Sequence, residues 1–234
     1  VWSDLGEKRK ALDYYEQALP LSRAVGDRGG EATSLNAIGM VWSALGEKRK
    51  ALDYYEQALP LSRAVGDRGG EATTLNNMGS VWSALGEQRK ALEYYEKALP
   101  LFRAVGDRRN EATALNNMGG AWDALGEKRK ALEYYEQALP LSRAVGDRSG
   151  EAYTLHNMSF IHEASGDLEE AIHCAARATE LLEAIEDVNA DASRQNLEWL
   201  KRKRDGEGSD NDPNAPLEQL FHAFMVVLRR LRGK

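Results

Sequence analysis

The chain has 234 residues, of which 42% are hydrophobic and 29% are charged, so it carries enough apolar side chains for a sizeable buried core. Its formal net charge of -6 is spread over interspersed Glu, Lys and Arg, which favours neither a nucleic-acid-binding face nor an acidic block. No apolar run reaches the roughly 18 residues of a membrane span, and the single Cys174 excludes an internal disulfide. We therefore expect a reducing, cytoplasmic location, with neither nucleic acid nor membrane as partner.

The sequence repeats with a period of 40 residues, and residues 5–33 are identical to residues 45–73. Such a period predicts a stacked repeat architecture and not one globular core. The start at Val1 falls inside a repeat and shows no signal region, so we expect a piece of a longer protein. The residues that recur at this spacing are Trp2, Trp42, Trp82 and Trp122, Gly6, Gly46, Gly86 and Gly126, and Pro20, Pro60, Pro100 and Pro140.

Each unit is predicted to contain two helices, which we name helix A and helix B. In the third unit, helix A covers residues 71–85 and helix B covers residues 88–105, because apolar and small residues recur there at three- and four-residue steps. Gly86 and Gly106 suit the left-handed conformation at helix ends, and Asp107 suits the N-cap of the next helix A. The predicted inward positions are Ala72, Leu75, Met78, Gly79, Trp82, Ala91, Leu92, Tyr95, Ala98, Leu99 and Phe102.

The proline of helix B allows two interpretations. Pro100 lacks the amide that would bond back to Glu96, which predicts a bend in a continuous helix. Alternatively, helix B ends near Leu99, because the residue before a proline resists the helical conformation.

The carboxyl-terminal part departs from the repeat. A diverged fifth copy covers residues 151–185, and residues 190–204 predict a final A-type helix that ends in four basic residues. We divide the chain into a repeat array (1–186), a capping helix (187–204), a polar linker (205–216) and an amphipathic helix (217–234). The last helix has three possible docking places: the end of the array, the groove of this or a neighbouring chain, or another domain.

The repeat resembles the tetratricopeptide family, whose signature includes W-x2-L-G-x2-Y followed by A-x3-F. The third unit reads Leu75-x2-Met78-Gly79-x2-Trp82 and then Ala91-x3-Tyr95. The period exceeds the usual 34 residues, and in this respect the chain is similar to the extended repeats of kinesin light chains, spindle-orientation adaptors and bacterial signalling proteins. The resemblance implies an all-α, right-handed superhelical solenoid that binds a peptide or helix and has no catalytic activity.

The family resemblance also implies which residues face a ligand, namely those on the inner side of each helix A. A row of Asn amides would bond a peptide backbone, and Met40, Tyr153 and Phe160 would anchor apolar side chains. No Lys or Arg stands at these positions, which argues against the family's clamp for a terminal carboxylate. The predicted positions are Thr33, Asn36, Met40, Ser43, Thr73, Asn76, Ser80, Ser83, Thr113, Asn116, Gly120, Asp123, Tyr153, His156, Phe160 and Glu163.

The residue pattern does not predict a metal site, an acid–base pair or a cofactor site. His156, His162, His173 and Cys174 are close in sequence, but no pair has the HExxH or CxxC spacing of a metal site, so we predict no metal. The paired carboxylates of Glu93 to Glu96 recur in each unit and predict solvated helix edges. No phosphate loop or nucleophile motif is present, so no cofactor is expected.

Three functional hypotheses remain open at this point. The first is a protein-interaction scaffold whose groove receives a partner segment or the chain's own residues 217–234. The second is a self-assembling array that forms homo-oligomers by stacking repeats end on end. The third is the sensory arm of an enzyme.

Overall fold

The computed structural model describes residues 2–207, and this part of the chain is helical with short turns and no strand. The all-α class predicted from the sequence is therefore confirmed. The helices are α1 (Trp2–Ala24), α2 (Arg28–Ala44), α3 (Lys48–Ala64), α4 (Arg68–Ala84), α5 (Gln88–Val105), α6 (Arg108–Ala124), α7 (Lys128–Ala144), α8 (Arg148–Ala164), α9 (Leu168–Ala184) and α10 (Ala190–Arg204).

The described residues form two compact units, residues 2–107 and residues 108–207. In the first unit, α2 packs against α3 and α4 packs against α5, while α3 also contacts α4. In the second unit, the pairs are α6 with α7 and α8 with α9, and α10 packs against α9. The predicted pairing of each helix A with the helix B that follows it is thus confirmed. We name each pair by its two helices, as in α2–α3.

A glycine of helix A and a tyrosine of helix B form the centre of each regular pair. Tyr95 is 1% exposed, and a Cβ added at Gly79 would lie 2.6 Å from its ring, so any larger residue would collide with it. Tyr55 beside Gly39 and Tyr135 beside Gly119 repeat this contact. Since neither helix could bury such a face alone, the pair is the folding unit of the repeat. Of the predicted inward residues, Trp82 alone is half-buried and the others are buried.

The turns between helices depend on glycine and aspartate. Gly86 ends helix A at φ +84°, and Gly106 ends helix B at φ +72°, both in the left-handed region that glycine adopts without a Cβ penalty. The Asp67 carboxylate accepts a hydrogen bond of 2.8 Å from the Gly70 amide and so caps α4. Glu87 makes no such bond at the start of α5 and contributes its charge alone.

The recurring proline lies inside a continuous helix. Pro100 is an exposed residue within α5, which runs without interruption from Gln88 to Val105. The alternative that helix B ends near Leu99 is therefore wrong, and the bend at the proline stays a prediction. The exposed position is compatible with a proline, because water can satisfy a helix carbonyl that loses its amide partner at the surface.

The carboxyl-terminal helix α10 covers the range predicted for a final A-type helix. It buries Trp199 and Leu200 against Ala171 and Ala175 of α9. Gln195, at the register of the buried Leu155, is exposed. Most of the predicted linker and the whole predicted helix 217–234 lie outside the described residues. Within residues 2–207, no helix combines the length and the hydropathy that crossing a bilayer requires.

Candidate interaction surface

The sixteen predicted ligand-facing residues all lie on the A helices α2, α4, α6 and α8, and we call them the A-helix surface. Three side chains are exposed, twelve are half-buried and one is buried. The exposed ones are Thr33, Met40 and Thr113. The half-buried ones are Asn36, Ser43, Thr73, Asn76, Ser80, Ser83, Asn116, Gly120, Asp123, Tyr153, Phe160 and Glu163. His156, at 0% exposure, is the buried one.

The threonines of the A-helix surface bond within their own helix. The hydroxyl of Thr73 donates to the Gly69 carbonyl over 2.9 Å, and Thr33 and Thr113 make the same four-residue contact. Because the hydroxyl proton is already used, these residues offer a ligand mainly an acceptor lone pair and a methyl group.

The asparagines connect neighbouring A helices. In the first unit, the Asn77 side-chain amide donates to the Asn36 oxygen over 3.2 Å and so joins α4 to α2. In the second unit, the Thr154 hydroxyl lies 3.2 Å from the Asn116 side chain on α6, while its one proton is directed to the closer Gly150 carbonyl at 2.8 Å. The oxygen of Asn36 is thus committed to a structural bond. An amide that accepts through its oxygen still carries two N–H donors.

On each helix A, the last predicted position contacts a lysine or glutamine side chain. Lys48 donates to both the carbonyl and the hydroxyl of Ser43 over 2.9 Å, which caps the carboxyl end of α2. Gln88 donates to the Ser83 carbonyl over 3.2 Å and accepts from the Ser83 hydroxyl over 3.1 Å. Two further pairs occupy this place in the second unit, Asp123 with Lys128 and Glu163 with Lys203.

The row of Met40, Ser80, Gly120 and Phe160 differs in size from helix to helix. Met40 is 45% exposed, which is unusual for so large an apolar side chain on a packed helix. The Tyr95 hydroxyl donates to the Ser80 oxygen over 3.3 Å, so in the α4–α5 pair this position lies beside the polar tip of the buried tyrosine. A ligand in contact with the row would therefore meet a different surface on each helix A.

The fifth copy corrects one predicted site residue. His156 was predicted to face a ligand, but its ring is fully buried and stacks edge-on against Phe160 with 4.7 Å between ring centroids. The neighbouring Tyr153 hydroxyl donates to Asp187 over 3.2 Å and accepts from the Asn189 amide. The sequence did not predict the burial of His156 or the bonds of Tyr153. The repeat register shows on which helix a residue lies, but not which later segment packs over it.

The variation between copies is also distributed more widely than one face. Helices α2 and α6 differ at surface positions such as Gly120 and Asp123, but also at the buried Ala114, Met118 and Ala121. In contrast, the B helices α3 and α7 differ at Asp53 and Glu133 alone. Helices α2 and α4 differ at four residues, as do α3 and α5, so variation is larger in the A helices overall but is not confined to them.

The carboxylates of the Glu-Tyr-Tyr-Glu segments are solvated, as predicted, with Glu93 and Glu96 both exposed on α5. Other carboxylates form ion pairs between helices, such as the 2.6 Å contact of Arg63 Nε with Glu71 Oε1 at the junction of α3 and α4. Half of the Arg63 side chain remains in water, so such a pair contributes little to stability.

Two solved structures have a similar fold. One is BtubC (BKLC) from P. vanneervenii, 18% identical in sequence, with a TM-score of 0.74 over 93% of this chain and 92% of that chain. The other is a Podosopora anserina kinesin light chain-type protein with nearly identical TPR-like repeats, 14% identical, with a TM-score of 0.61 over 77% of this chain and 89% of that chain. At these identities the likeness concerns the fold alone.

The search of curated proteins returned no match to this chain. A family model described as tetratricopeptide repeat matches residues 4–64, 70–144 and 130–184, which covers most of the chain. Proteins of this family generally serve as scaffolds for protein–protein interaction, and their repeats are typically not catalytic. With its paired helices, its 40-residue register and this match, the chain belongs to the tetratricopeptide repeat family and has the fold of the kinesin light chain-like members.

Proposed function

We propose that this chain is a non-catalytic scaffold that binds a segment of a partner protein on its A-helix surface. The observation that carries the proposal is that the A helices vary more between copies than the B helices do. Helices α2 and α6 differ at eight of 17 registered residues and α3 and α7 at one, while α4 and α6 differ at six and α5 and α7 at three. The varying residues of the A helices include surface positions that a ligand could contact, such as Met40 and Ser43. We place the protein in the cytoplasm as part of a larger signalling assembly.

The chemistry of the A-helix surface favours an extended or helical segment with an apolar residue. In the first unit, the exposed thioether of Met40 can adapt its shape to such a side chain. The half-buried Asn36 is held in place by Asn77, so its amide N–H groups are oriented in advance for the carbonyls of a bound backbone. In the second unit, the half-buried Phe160 on α8 is the corresponding apolar anchor.

Site-specific photocrosslinking tests the surface before any partner is known. A benzophenone amino acid at Met40 on α2 should capture a discrete partner from a native extract, identified by mass spectrometry. The same amino acid at the exposed Gln57 on α3 is the matched control, because it lies on a B helix and outside the A-helix surface. Equal crosslinking at both positions would contradict the proposal.

Affinity for the captured partner then measures individual side chains. We expect Met40→Asp to weaken binding at least about tenfold, which is a loss of about 1.4 kcal/mol or more in binding free energy. The reason is that it places a charged side chain against an apolar contact. The Asn76→Ala/Asn116→Ala variant should also weaken binding, while Gln57→Asp should leave it unchanged.

The same experiment distinguishes the other hypotheses. Crosslinks from Met40 to residues 217–234 of the same chain would identify the chain's own tail as the ligand. Crosslinks to a second copy, together with concentration-dependent light scattering that persists after removal of residues 217–234, would favour a self-assembling array.

A further inference from the structure

The α8–α9 pair departs from the other pairs at three registered positions. In the regular pairs a lysine of helix B lies over a tryptophan of helix A, with 4.3 Å, 4.4 Å and 4.3 Å between the ammonium nitrogen and the ring centroid. We call these two residues, together with the tyrosine that follows one turn further along helix B, the aromatic cluster. Forty residues after Trp122, Lys130 and Tyr134, the fifth copy has His162, Glu170 and Cys174. All three aromatic or cationic residues are thus replaced by residues that ligate metals.

The three replacements converge in space. One ligand atom from each of His162, Glu170 and Cys174 lies within 4.8 Å of the others. His162 is near the carboxyl end of α8, whereas Glu170 and Cys174 are four residues apart on one face of α9. The Asp167 carboxylate at the start of α9 lies 3.9 Å from His162 Nδ1 and adds a fourth candidate ligand or a hydrogen-bond acceptor for the imidazole.

We propose that His162, Glu170 and Cys174 bind a divalent transition-metal ion of the Zn²⁺ type. Nitrogen, sulfur and oxygen donors together favour Zn²⁺ over Mg²⁺ or Ca²⁺, which prefer oxygen ligands alone. Bond lengths of about 2.0–2.3 Å place the ligand atoms of a tetrahedral zinc site about 3.5 Å apart. The cluster must therefore close by about 1 Å, and the Cys174 thiol already donates to Glu170 Oε1 over 4.0 Å.

The protonation of Cys174 determines how the ion enters. Burial raises the pKa of the thiol to about 12, with the charges of Glu170 and Asp167 adding to the rise and Arg143 opposing it. The metal-free thiol thus keeps its proton at neutral pH, and the ion must displace it.

A bound ion would join α8 to α9 at the place where the aromatic cluster of the other pairs is missing. Its expected effect is an increase in the unfolding temperature on addition of Zn²⁺, because the ion binds the folded arrangement of ligands. The metal site is independent of the scaffold proposal, because it lies where the carboxyl end of α8 meets the first part of α9.

Cobalt titration of the whole chain, after treatment with a chelator, tests the site. We expect a thiolate-to-cobalt charge-transfer band and visible d–d bands that saturate at one equivalent of Co²⁺ and are displaced by Zn²⁺. Cys174→Ser should abolish the charge-transfer band. His162→Ala and Glu170→Gln should each weaken Co²⁺ binding by about tenfold to a hundredfold or more, the loss that even outer-shell changes cause.

The matched control is His173→Ala, because His173 is adjacent to Cys174 in sequence but exposed and outside the cluster. It should leave the titration unchanged, as should an excess of Mg²⁺ during the measurement. Absence of a charge-transfer band in the unaltered chain would overturn the proposal, and so would bands that persist unchanged in both His162→Ala and Glu170→Gln. Far-UV circular dichroism of each variant verifies that the helices remain folded.

Discussion

The pairs α6–α7 and α8–α9 belong to the same compact unit, have helices of equal length and share one register, yet their centres are built differently. In α6–α7, the ring of Tyr135 lies against Gly119, where an added Cβ would come within 2.5 Å of it. In α8–α9, the same two positions hold Ala175 and Ser159, both buried. The large residue and the small one have changed together, from tyrosine to alanine and from glycine to serine.

The difference between these pairs extends to their neighbour α10. Ser159 donates to the His156 carbonyl over 2.7 Å, and Asn196 of α10 lies 3.4 Å from the Ser159 oxygen. Ser193 of α10 shares a hydrogen bond with the buried Thr179 over 2.8 Å. The final pair is therefore adapted to a polar contact with α10, whereas the regular pair is adapted to an aromatic one. Repeats of one length can thus carry different interiors when the substitutions occur as sets.

The largest expected effect comes from removing the tyrosine of the regular pair. Tyr135→Ala should lower the free energy of unfolding by about 3–4 kcal/mol, because the ring is 1% exposed and its loss leaves a cavity beside Gly119. Urea denaturation followed by circular dichroism measures the change. Tyr14→Ala is the control, since that side chain is 72% exposed and its loss should change stability by less than about 0.5 kcal/mol. Equal effects of the two substitutions would contradict the role given to the Gly–Tyr contact.

A smaller loss is expected when the tyrosine is introduced into the final pair. Ala175→Tyr should destabilise the chain by about 2 kcal/mol, because Ala175 is fully buried and a ring there collides with Ser159. Adding Ser159→Gly should recover part of the loss, and this recovery can be measured by the same denaturation experiment as a double-mutant cycle. If Ala175→Tyr alone does not change the free energy of unfolding, the interiors of α6–α7 and α8–α9 are not distinct.

A turn glycine shared by all pairs should show a similar or smaller cost. Gly126→Ala should destabilise by about 1–2 kcal/mol, because Gly126 has φ +80° while no atom lies within 4 Å of an added Cβ. The cost is therefore one of backbone conformation alone. Thermal unfolding of Gly126→Ala is compared with that of Gly166→Ala, whose glycine has φ +83°. The two variants should lose the same stability, and a difference above about 1 kcal/mol would show that the turns are not equivalent.

Much of the fold could be predicted because it depends on local pattern and on register. The boundaries of α5, the inward position of Tyr95 and the glycine turns follow from helical periodicity and the repeat. The continuous helix through Pro100 required the structure, since the sequence left a helix end at Leu99 open. Periodicity indicates which residues lie inward, but it does not decide between two local conformations that share it.

The candidate sites were harder to predict because they depend on contacts between helices. The Asn36–Asn77 bond joins residues 41 positions apart, and no local pattern distinguishes an amide that binds a neighbour from one that binds a ligand. The cluster of His162, Glu170 and Cys174 escaped a search for metal-ligand spacing because its members come from two helices. Comparing the fifth copy with the fourth at a shift of 40 residues is the signal that could have found it.

The most direct test of the account is to move the three ligand residues by one repeat. The variant Trp122→His/Lys130→Glu/Tyr134→Cys places the same residue types at the registered positions of α6–α7. If the shared register of the pairs is what brings these side chains together, the variant should bind two equivalents of Co²⁺ with a doubled charge-transfer band, whereas the unaltered chain binds one. A folded variant that still binds one equivalent would show that the register does not create the site, and the comparison between the two pairs would fail.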